Sequence, residues 1–471
     1  MDILEIRSKL DSGKTTSDEL FKESVKLAKE SQKEYNPFVT IMDSYEEIDS
    51  DSLIKGIPYA LKDNISTKGI LTTASSNILS NYVPVYDATI YKKLKEAGAI
   101  LMGKTVLDEL AMGGTGTTGH TGIVRNPWNK ERQIGGSSSG SACAVAMGIV
   151  PFAIGSDTGD SVRKPAAYGG VVGFKPTYGR ISRYGLFAFA SSLDHLGIFA
   201  RNVRDVAIVT NVCKGHDDRD MTSLPDDNKD YVSTLDNSVK GKKLFYIKEA
   251  MENASKDIKD NFDEVIKKCE SLGMEVHGES IPKELLLAIY PTYMAISCAE
   301  ATSNDSNLTG IHFGVRGSGN TPDEIIHDAR TKGFSELIKR RFIIGSYILQ
   351  RENQEKLFLN AYRVRRLIVD KINELFKEYD ALIMPAAAGI APKFDEKSDK
   401  LSDNYLILDN HLCIGNFGGY PSITIPSGFI DGMPIGINIT GRLMEDALVL
   451  NIANMLEGTM EYKNQIVKGW K

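Results

Sequence analysis

The segment from Ile134 to Ala167 constrains the fold of this chain more than any other part of the sequence. It reads IGGSSSGSACAVAMGIVPFAIGSDTGDSVRKPAA, so a glycine-serine tract is followed at once by a solidly apolar run. A tract of this kind is by itself typical of a turn or a flexible linker. Here, however, Ser141 to Met147 predict a fully buried helix, and Val150 to Ile154 predict a strand that ends in a loop over Gly155 to Ser161. These neighbours favour a turn within a folded core over a linker.

Strands and helices also alternate upstream of this segment. The apolar run Ile57 to Leu61 ends in Lys62-Asp63-Asn64 and predicts a buried strand with a polar tip. Asp87 is expected to cap a helix that runs through Ala97, AILMG forms the next strand, and Thr105 opens another helix. This alternation predicts an α/β fold whose large, mixed but largely parallel twisted central sheet is covered on both faces by helices. Because ligands bind beyond the carboxyl ends of such strands, Lys62 and the serine loops are expected to meet there.

The remainder of the chain contains no internal repeat and no break that would separate domains. Residues 1–50 predict short amphipathic helices, with Thr16 and Ser17 as N-cap candidates, and residues 214–242 predict an exposed connection. The later predictions are strands at KLFYI, MEVHG, PSITIP and PIGINIT, a helix from Ile258 to Leu272, and a mainly helical region over 283–378. We therefore predict one domain over 1–471, with a core at 51–212 and a return to the core sheet at 379–471.

The overall composition excludes several classes of protein. With 56 Lys and Arg against 62 Asp and Glu, the formal net charge is −6, so no basic surface for nucleic acid is indicated. The five cysteines have no CxxC spacing, which favours reduced thiols in a cytosolic protein over disulfides or zinc. The first residues, MDILEIRSKL, do not resemble a signal peptide, and no uninterrupted apolar run is long enough to span a membrane.

The serine tract does not match the usual patterns for phosphate binding or histidine-assisted catalysis. A P-loop needs Lys-Ser/Thr after its last glycine, whereas Ser141-Ala142 follow Gly140. The nearest histidine, His195, is expected to pack or to face solvent, so a Ser-His-Asp site has little support. A lysine at a buried strand end is an alternative base, because burial lowers a lysine pKa and leaves a neutral amine. Lys62, which alone would be assigned to the surface, occupies such a position.

Four stretches, GIPYALKDN, GGSSSGSA, GSDTGDSVRKPAA and GFKPTYGR, resemble the amidase signature family. The resemblance implies that Ser161 is the nucleophile and forms the acyl-enzyme. It implies that Ser137, 24 residues earlier, is a bridging hydroxyl next to a cis peptide bond, and that Lys62 is the base. The backbone N–H groups of Thr158, Gly159, Asp160 and Ser161 correspond to the family's oxyanion hole.

Further stretches resemble one branch of that family, the A subunits of glutamyl-tRNA(Gln) amidotransferases. They are YGRISRYGLFAFASSLDHLGIFARNVRDVA, CAEATSN, GFSELIKRRFIIG and GMPIGINITGR, and the likeness runs from about residue 50 to the C-terminus. It implies a glutaminase that passes ammonia to a B subunit, which uses ATP and magnesium to amidate glutamate on tRNA(Gln), with a small C subunit completing a heterotrimer. It implies a cytoplasmic location, no cofactor or metal in this chain, no membrane contact and tRNA binding mainly by the B subunit.

A glutamine pocket needs an anion for the substrate ammonium and a cation for its carboxylate. The resemblance assigns these roles to Asp409 and Arg341, with Arg340 as the alternative cation, and adds Tyr293. Without the resemblance, Arg341 would be assigned to an exposed helix face, Tyr293 to packing and Asp409 to a helix cap.

The sequence also departs from the family pattern. Asp160 and Ser139 stand where glycine is usual, Lys164 where this branch of the family has glutamine, and Ile198 where proline is usual. Asp160 is the departure that threatens activity, because it predicts backbone strain and a carboxylate beside the oxyanion unless Arg163 or Lys164 pairs with it. Two alternatives to the glutaminase therefore stay open: a stand-alone amidase for another small amide, and a weakly active scaffold protein of the complex.

Overall fold

A single mixed sheet organises the protein, which is described here from a computed structural model covering residues 2–252, 254–396 and 399–470. The eleven strands of the described part, numbered along the chain, are β1 Phe38–Ile41, β2 Pro58–Lys62, β3 Ile100–Thr105, β4 Phe152–Asp157, β5 Val172–Lys175, β6 His195–Ala200, β7 Lys243–Ile247, β8 Glu275–Glu279, β9 Ala381–Pro385, β10 Ser422–Ile430 and β11 Met433–Gly441. Their order across the sheet is β1-β3-β2-β4-β6-β5-β10-β11-β9-β7-β8.

Helices cover this sheet on both faces, as predicted. The α-helices of the described residues are α1 Ile3–Asp11, α2 Ser17–Tyr35, α3 Thr89–Glu96, α4 Ser139–Ala146, α5 Arg163–Gly169, α6 Val203–Cys213, α7 Lys248–Glu252, α8 Lys256–Ser271, α9 Lys283–Leu287, α10 Ile289–Asn304, α11 Pro322–Gly333, α12 Glu336–Leu349, α13 Asn360–Leu375, α14 Cys413–Phe417 and α15 Asp446–Glu457. Side chains of β2 alternate between the faces: Tyr59 and Leu61 join the core formed with α3 and α6, whereas Ala60 joins the core formed with α2 and α4.

The prediction of a mixed sheet is confirmed, but the expectation that it is largely parallel is wrong. Six pairs of neighbouring strands are antiparallel and four are parallel. The strands β4 and β5 flank the crossover helix α5, yet β6 lies between them and pairs antiparallel with both. A two-residue turn, Asp431-Gly432, joins β10 to β11, and its φ values of 50° and 73° suit a tight antiparallel hairpin.

The segment around the glycine-serine tract folds as a buried turn and helix. Helix α4 is buried along its whole length, which confirms the predicted buried helix and rules out a linker. A Cβ on Gly140 would lie 2.3 Å from the carbonyl oxygen of Pro37 and 2.7 Å from the amide nitrogen of Val106. Only glycine therefore allows the first turn of α4 to pack this closely against neighbouring backbone.

Some local predictions at element ends are confirmed and others are wrong. Thr16 caps α2 and forms a capping box with Glu19, as expected, but the edge strand β1 that follows was not predicted. Thr105 ends β3 instead of opening a helix, and its hydroxyl lies 2.7 Å from that of Ser141. Asp87 does not cap α3, which begins at Thr89; its carboxylate accepts a hydrogen bond from the backbone of Lys68 at 2.7 Å.

The connection over 214–242 is less exposed than predicted. Tyr231, Leu235 and Val239 recur every fourth residue and are buried in the core. The Asn451 side chain of α15 donates a hydrogen bond to the carbonyl oxygen of Leu235 at 2.8 Å. This part of the connection therefore packs into the core and is hydrogen-bonded to α15.

Residues Lys283–Asn307 are long and apolar enough to cross a membrane by composition, with a mean hydropathy of 1.2. In the fold this stretch forms α9 and α10, and α10 packs against α12 and α13. Tyr293 of α10 also lines the cavity described below. The stretch is therefore two helices packed within the fold, of which α10 helps to form the site.

Candidate active site

Lys62 lies at the carboxyl end of β2, beside the parallel strand β4, and its side chain is fully buried. Its Nζ lies 2.7 Å from Ser137 Oγ. Ser138 Oγ and Ser156 Oγ each lie 2.9 Å from the same nitrogen, and the carbonyl oxygen of Ser156 lies 3.3 Å away. The prediction that Lys62 meets the serine turn beyond the carboxyl end of its strand is thus confirmed.

Burial lowers the pKa of Lys62 from 10.5 to about 7, against the opposing charges of Asp108, Asp157 and Asp194. A neutral amine is therefore populated at neutral pH, and its lone pair needs a hydroxyl donor. The Ser138 hydroxyl is committed elsewhere, because it donates to the carbonyl oxygen of Ser156 at 3.0 Å.

Ser137 is the hydroxyl best placed to serve that lone pair. Ser137 Oγ is the hydroxyl closest to the amine, at 2.7 Å, and has no partner other than Lys62 within the described part of the chain. Ser156 Oγ lies 2.9 Å from the amine and is shared with Asn64, whose Nδ2 donates to it at 3.0 Å. A neutral Lys62 can thus accept the Ser137 proton.

The turn that carries Ser137 is held by its backbone. The peptide bond between Gly136 and Ser137 is cis, and the carbonyl oxygen of Ser137 accepts a hydrogen bond from the amide of Asp108 at 3.2 Å. The Asp108 carboxylate accepts five backbone N–H bonds from the loop at 114–118. This carboxylate therefore ties the loop to the serine turn.

Ser161 follows β4 and precedes α5, and its side chain is buried. The carbonyl oxygen of Ser161 accepts a hydrogen bond from the amide of Ser138 at 3.3 Å, so the two serine turns are adjacent. Within the described residues the Ser161 hydroxyl makes no hydrogen bond. The structure thus shows the Lys62–Ser137 link as a hydrogen bond and brings Ser161 alongside through the main chain.

The turn from Thr158 to Ser161 presents unused backbone donors. No acceptor is found for the four N–H groups among the residues that the structure describes. The Thr158 hydroxyl donates to Asp194 at 2.6 Å, and the Arg163 guanidinium donates to the carbonyl oxygen of Gly159 at 2.8 Å. These bonds fix the turn from both sides, which suits it to stabilise a developing oxyanion.

Arg163 and Asp157 form the buried foundation of this turn. Two guanidinium nitrogens lie 2.9 and 3.1 Å from the Asp157 carboxylate. Burial alone would raise the pKa of Asp157, but the charge and hydrogen bonds of Arg163 outweigh it and hold the pKa well below its usual value. Arg163 therefore does not pair with Asp160.

Asp160 pairs with Lys164 instead, at 2.8 Å. This was one of the two pairings expected to relieve the carboxylate beside the oxyanion hole. The strain expected from a positive φ is absent, because the φ of Asp160 is not positive. Burial opposes the charge on Lys164, but the carboxylates of Asp160 and Asp409 raise its pKa overall.

A cavity of about 770 Å³ opens beside this turn. Its lining includes Gly159 and Asp160 together with all three residues assigned to glutamine binding, Tyr293, Arg341 and Asp409. Arg340 is exposed and is not among the lining residues, so Arg341 is the one of the two arginines that reaches the cavity.

The cavity lining carries both a cation, Arg341, and a carboxylate, Asp409. Arg341 has no carboxylate partner among the described residues, and its guanidinium lies 5.6 Å from the centre of the Phe189 ring. The Asp409 carboxylate accepts a hydrogen bond from the amide of Ala388 at 3.2 Å. An unpaired cation and a carboxylate in one cavity suit a ligand that carries both charges.

Tyr293 contacts the oxyanion turn closely. A Cβ on Gly159 would lie 2.9 Å from Tyr293 Cε2 and 3.3 Å from Cys413 Sγ. Glycine is therefore required at position 159 because a side chain would collide with the Tyr293 ring. The requirement does not come from a positive φ.

Three supporting residues were not anticipated from the sequence: Ser156, Asp108 and Asp194. Ser156 could have been found, because parallel strands β2 and β4 end at the same edge and their polar tips must meet. Asp108 could also have been found, because the glycine-rich run MGGTGTTG that follows it predicts a loop with free N–H groups, and a carboxylate can accept their hydrogen bonds. His195 packs in β6 against Tyr178, and burial holds its pKa well below its usual value, as expected for a histidine without a catalytic role.

Comparison with known proteins agrees with this geometry. A family model described as Amidase matches residues 19–450. The chain is 38% identical to the A subunit of glutamyl-tRNA(Gln) amidotransferase from Lactobacillus delbrueckii subsp. bulgaricus, over 98% of this chain and 97% of the relative. It is 43% identical to the protein of the same name from Heliobacterium modesticaldum, over 86% and 83% of the two chains.

Solved structures show the same fold. The crystal structure of the glutamyl-tRNA(Gln) amidotransferase A subunit from Thermotoga maritima matches with a TM-score of 0.80 and 37% identity, over 96% of this chain and 97% of that one. A peptide amidase from Stenotrophomonas maltophilia shares the fold, with a TM-score of 0.83 at 24% identity over 97% and 96% of the chains. On the family match, these relatives and the Lys62–Ser137 geometry together, the chain belongs to the amidase signature family.

Proposed function

We propose that this protein is a glutamine amidohydrolase, the glutaminase component of a tRNA-dependent amidotransferase. The observation that carries the proposal is the 2.7 Å contact between a buried Lys62 amine and Ser137, next to a cavity that holds Tyr293, Arg341 and Asp409. The first feature supports amide hydrolysis, and the second supports an amino acid as the substrate.

Glutamine is expected to bind with its ammonium group toward Asp409 and its carboxylate toward Arg341. Its side-chain amide then points to the turn that carries Ser161. Tyr293 forms the wall between these groups and Gly159. Burial raises the pKa of the Tyr293 hydroxyl well above its usual value although the Arg341 charge opposes this, so the phenol stays neutral and able to donate a hydrogen bond.

Acylation begins when the Ser161 hydroxyl gives its proton to Ser137 Oγ while the Ser137 proton moves to the neutral Lys62 amine. Ser161 Oγ bonds to the amide carbon, and the carbonyl oxygen becomes an oxyanion that accepts hydrogen bonds from the N–H groups of residues 158–161. Lys62, now an ammonium, returns the proton through Ser137 to the leaving nitrogen. The C–N bond breaks, ammonia leaves and a glutamyl ester remains on Ser161.

Deacylation repeats the same proton path with water. A water molecule loses its proton toward Lys62 through Ser137 and attacks the ester carbon, and the proton then returns to Ser161 Oγ as the C–O bond breaks. Glutamate is released and the site is restored. The path needs no metal or cofactor in this chain.

The ammonia is proposed to be consumed by a B subunit, which uses ATP and magnesium to convert Glu-tRNA(Gln) to Gln-tRNA(Gln), with a C subunit completing a cytoplasmic heterotrimer. The names of the relatives support this assignment, since they are the A subunits of amidotransferases and match almost the whole chain. With a net charge of −6, the chain leaves tRNA binding mainly to the B subunit.

The two alternatives are less well supported. A stand-alone amidase for a neutral amide would need a more apolar pocket than one with Asp160, Lys164, Arg341 and Asp409 in its lining. The scaffold alternative rested on Asp160, and the pairing with Lys164 together with a φ that is not positive removes both physical objections to activity.

The test is the Ser161→Ala variant assembled with B and C subunits from the same organism. Amidation of Glu-tRNA(Gln) with glutamine as donor is expected to be lost, and amidation with free ammonia is expected to remain. The control is Ser139→Ala, because Ser139 lies in the same tract, but among the described residues its hydroxyl hydrogen-bonds only to the carbonyl oxygen of Val106, at 3.4 Å. Loss of both activities in a folded Ser161→Ala complex, or retention of both, would contradict the proposed function.

A further inference from the structure

The Asp160–Lys164 ion pair and the backbone of Asp409 meet on the cavity wall beside the oxyanion turn. Lys164 Nζ lies 2.8 Å from the Asp160 carboxylate and 2.6 Å from the carbonyl oxygen of Asp409. All three residues line the cavity. The proposed reaction uses the Asp409 carboxylate and the Asp160 amide, but it uses neither the Asp160 carboxylate nor the Lys164 ammonium.

The pair is built into the site and not attached to a solvated surface. The Asp160 and Lys164 side chains are only 20% and 12% exposed. The carbonyl oxygen of Asp160 also accepts a hydrogen bond from the amide of Lys164 at 2.9 Å, so the backbone turn that leads into α5 fixes the spacing of the two side chains. A shielded ion pair of this kind interacts more strongly than an exposed one.

Each charge alone would harm a different part of the reaction. An unpaired Asp160 carboxylate would stand beside the N–H groups that must stabilise negative charge on the substrate oxygen. An unpaired Lys164 ammonium would stand beside Asp409 and repel the positive amino group that Asp409 is expected to bind. Together with Asp409 the pair gives this wall a net charge of −1, which is the charge that Asp409 alone would provide.

We propose that Asp160 and Lys164 act as one specificity-determining unit, which keeps the oxyanion turn electrically neutral and keeps the Asp409 side of the cavity attractive to a substrate ammonium group. The inference rests on the proposed function, because it takes glutamine as the substrate. It predicts that removing either charge alone impairs a different kinetic constant, and that removing both charges restores catalysis.

The experiment is a double-mutant cycle with neutral replacements of similar shape, Asp160→Asn and Lys164→Gln, in the assembled complex. Asp160→Asn is expected to raise KM for glutamine about tenfold with little change in kcat, because Lys164 is left unpaired. Lys164→Gln is expected to lower kcat about tenfold without raising KM, because the carboxylate is left beside the oxyanion. The double variant is expected to return within about threefold of the original kcat/KM.

The matched control is the double replacement Asp18→Asn and Lys22→Gln in α2, another acid-first pair at i and i+4, with an N–O distance of 2.6 Å on an exposed surface. It is expected to change neither constant. A purely structural role for Asp160 and Lys164 would lower the thermal midpoint and the activity together and would not separate KM from kcat. Single defects that simply multiply in the double variant, or single variants without defects, would overturn the proposal.

A second probe separates this inference from the choice of substrate. An uncharged alkyl fluorophosphonate is attacked by Ser161 Oγ, so the O–P bond forms, fluoride leaves and the serine proton passes to the base. Lys164→Gln is expected to slow this labelling about tenfold, Asp160→Asn is not, and the double variant is expected to restore it. If glutamine proves not to be a substrate but this pattern holds, the proposed function fails and the action of the pair on the oxyanion turn stands. Equal labelling rates in all four proteins would overturn that action.

Discussion

The pH dependence of acylation is the sharpest consequence of a buried Lys62. Lowering its pKa from 10.5 to about 7 corresponds to about 5 kcal/mol in the relative free energy of the charged and neutral amine. At pH 7 about half of the lysine is then neutral, against about 0.03% at the ordinary value. Because only the neutral amine accepts a proton, kcat/KM should rise with pH through about 7 and level off above it.

The perturbation is a change from pH 8 to pH 6, over which the neutral fraction falls from about 90% to about 10%, or roughly tenfold. Ammonia release at glutamine concentrations far below KM reports kcat/KM and therefore the pKa of the free enzyme. The buffers should keep ionic strength constant, and the thermal midpoint should be checked at each pH. A flat profile between pH 6 and 8 in folded protein, or a midpoint near 10, would refute the assignment of Lys62 as a buried neutral base.

Further predictions concern the relay, the pocket and the turn. Ser137→Ala should lower kcat for glutamine by about 10² or more without unfolding the protein, because the proton path is cut; ammonia-dependent amidation is the control, and near-normal glutaminase activity would exclude the relay. Arg341→Met and Asp409→Asn should each raise KM for glutamine at least tenfold and change kcat less, since each removes a substrate counter-ion; equal losses in kcat would contradict the binding role. Gly159→Ala should cost activity and about 1–3 kcal/mol of stability because its Cβ meets the Tyr293 ring; wild-type kinetics would show that Tyr293 is not held in place by this contact.

Features that depend on local patterns could be predicted from the sequence. The β2 strand with its polar tip, the buried α4 helix and the Thr16 cap each follow from neighbouring residues, and each is present in the structure. The meeting of Lys62 with the serine turn also followed, because strands in such sheets place their carboxyl ends together. The assignments of Ser161 and of the glutamine-binding residues came from the family resemblance and not from local pattern.

Features that depend on the tertiary fold could not be predicted in this way. The insertion of β6 between β4 and β5 leaves no signal in either strand, so the predominance of antiparallel pairs was missed. In the sequence, Thr105 is typical of a helix N-cap. In the structure it ends β3 instead, and its hydroxyl is hydrogen-bonded to that of Ser141.

The role of Asp160 shows the same limit at the site. Its pairing with Lys164 could be anticipated as one of two options, but only the prior commitment of Arg163 to Asp157 decides between them. The Lys164 contact with Asp409 joins residues far apart in the chain, and no sequence pattern indicated it. The sequence thus indicated two possible partners for Asp160, and the tertiary fold determines that it pairs with Lys164.

The central claim is that Lys62, acting through Ser137, makes Ser161 a nucleophile toward glutamine. Mass spectrometry after reaction with a diazoketone analogue of glutamine tests it most directly. We predict one adduct, on Ser161, with its rate of formation lowered by at least about 10² in Lys62→Met and Ser137→Ala proteins that remain folded. An adduct on Cys413 in place of Ser161, or undiminished labelling of Ser161 in the Lys62→Met protein, would contradict the account.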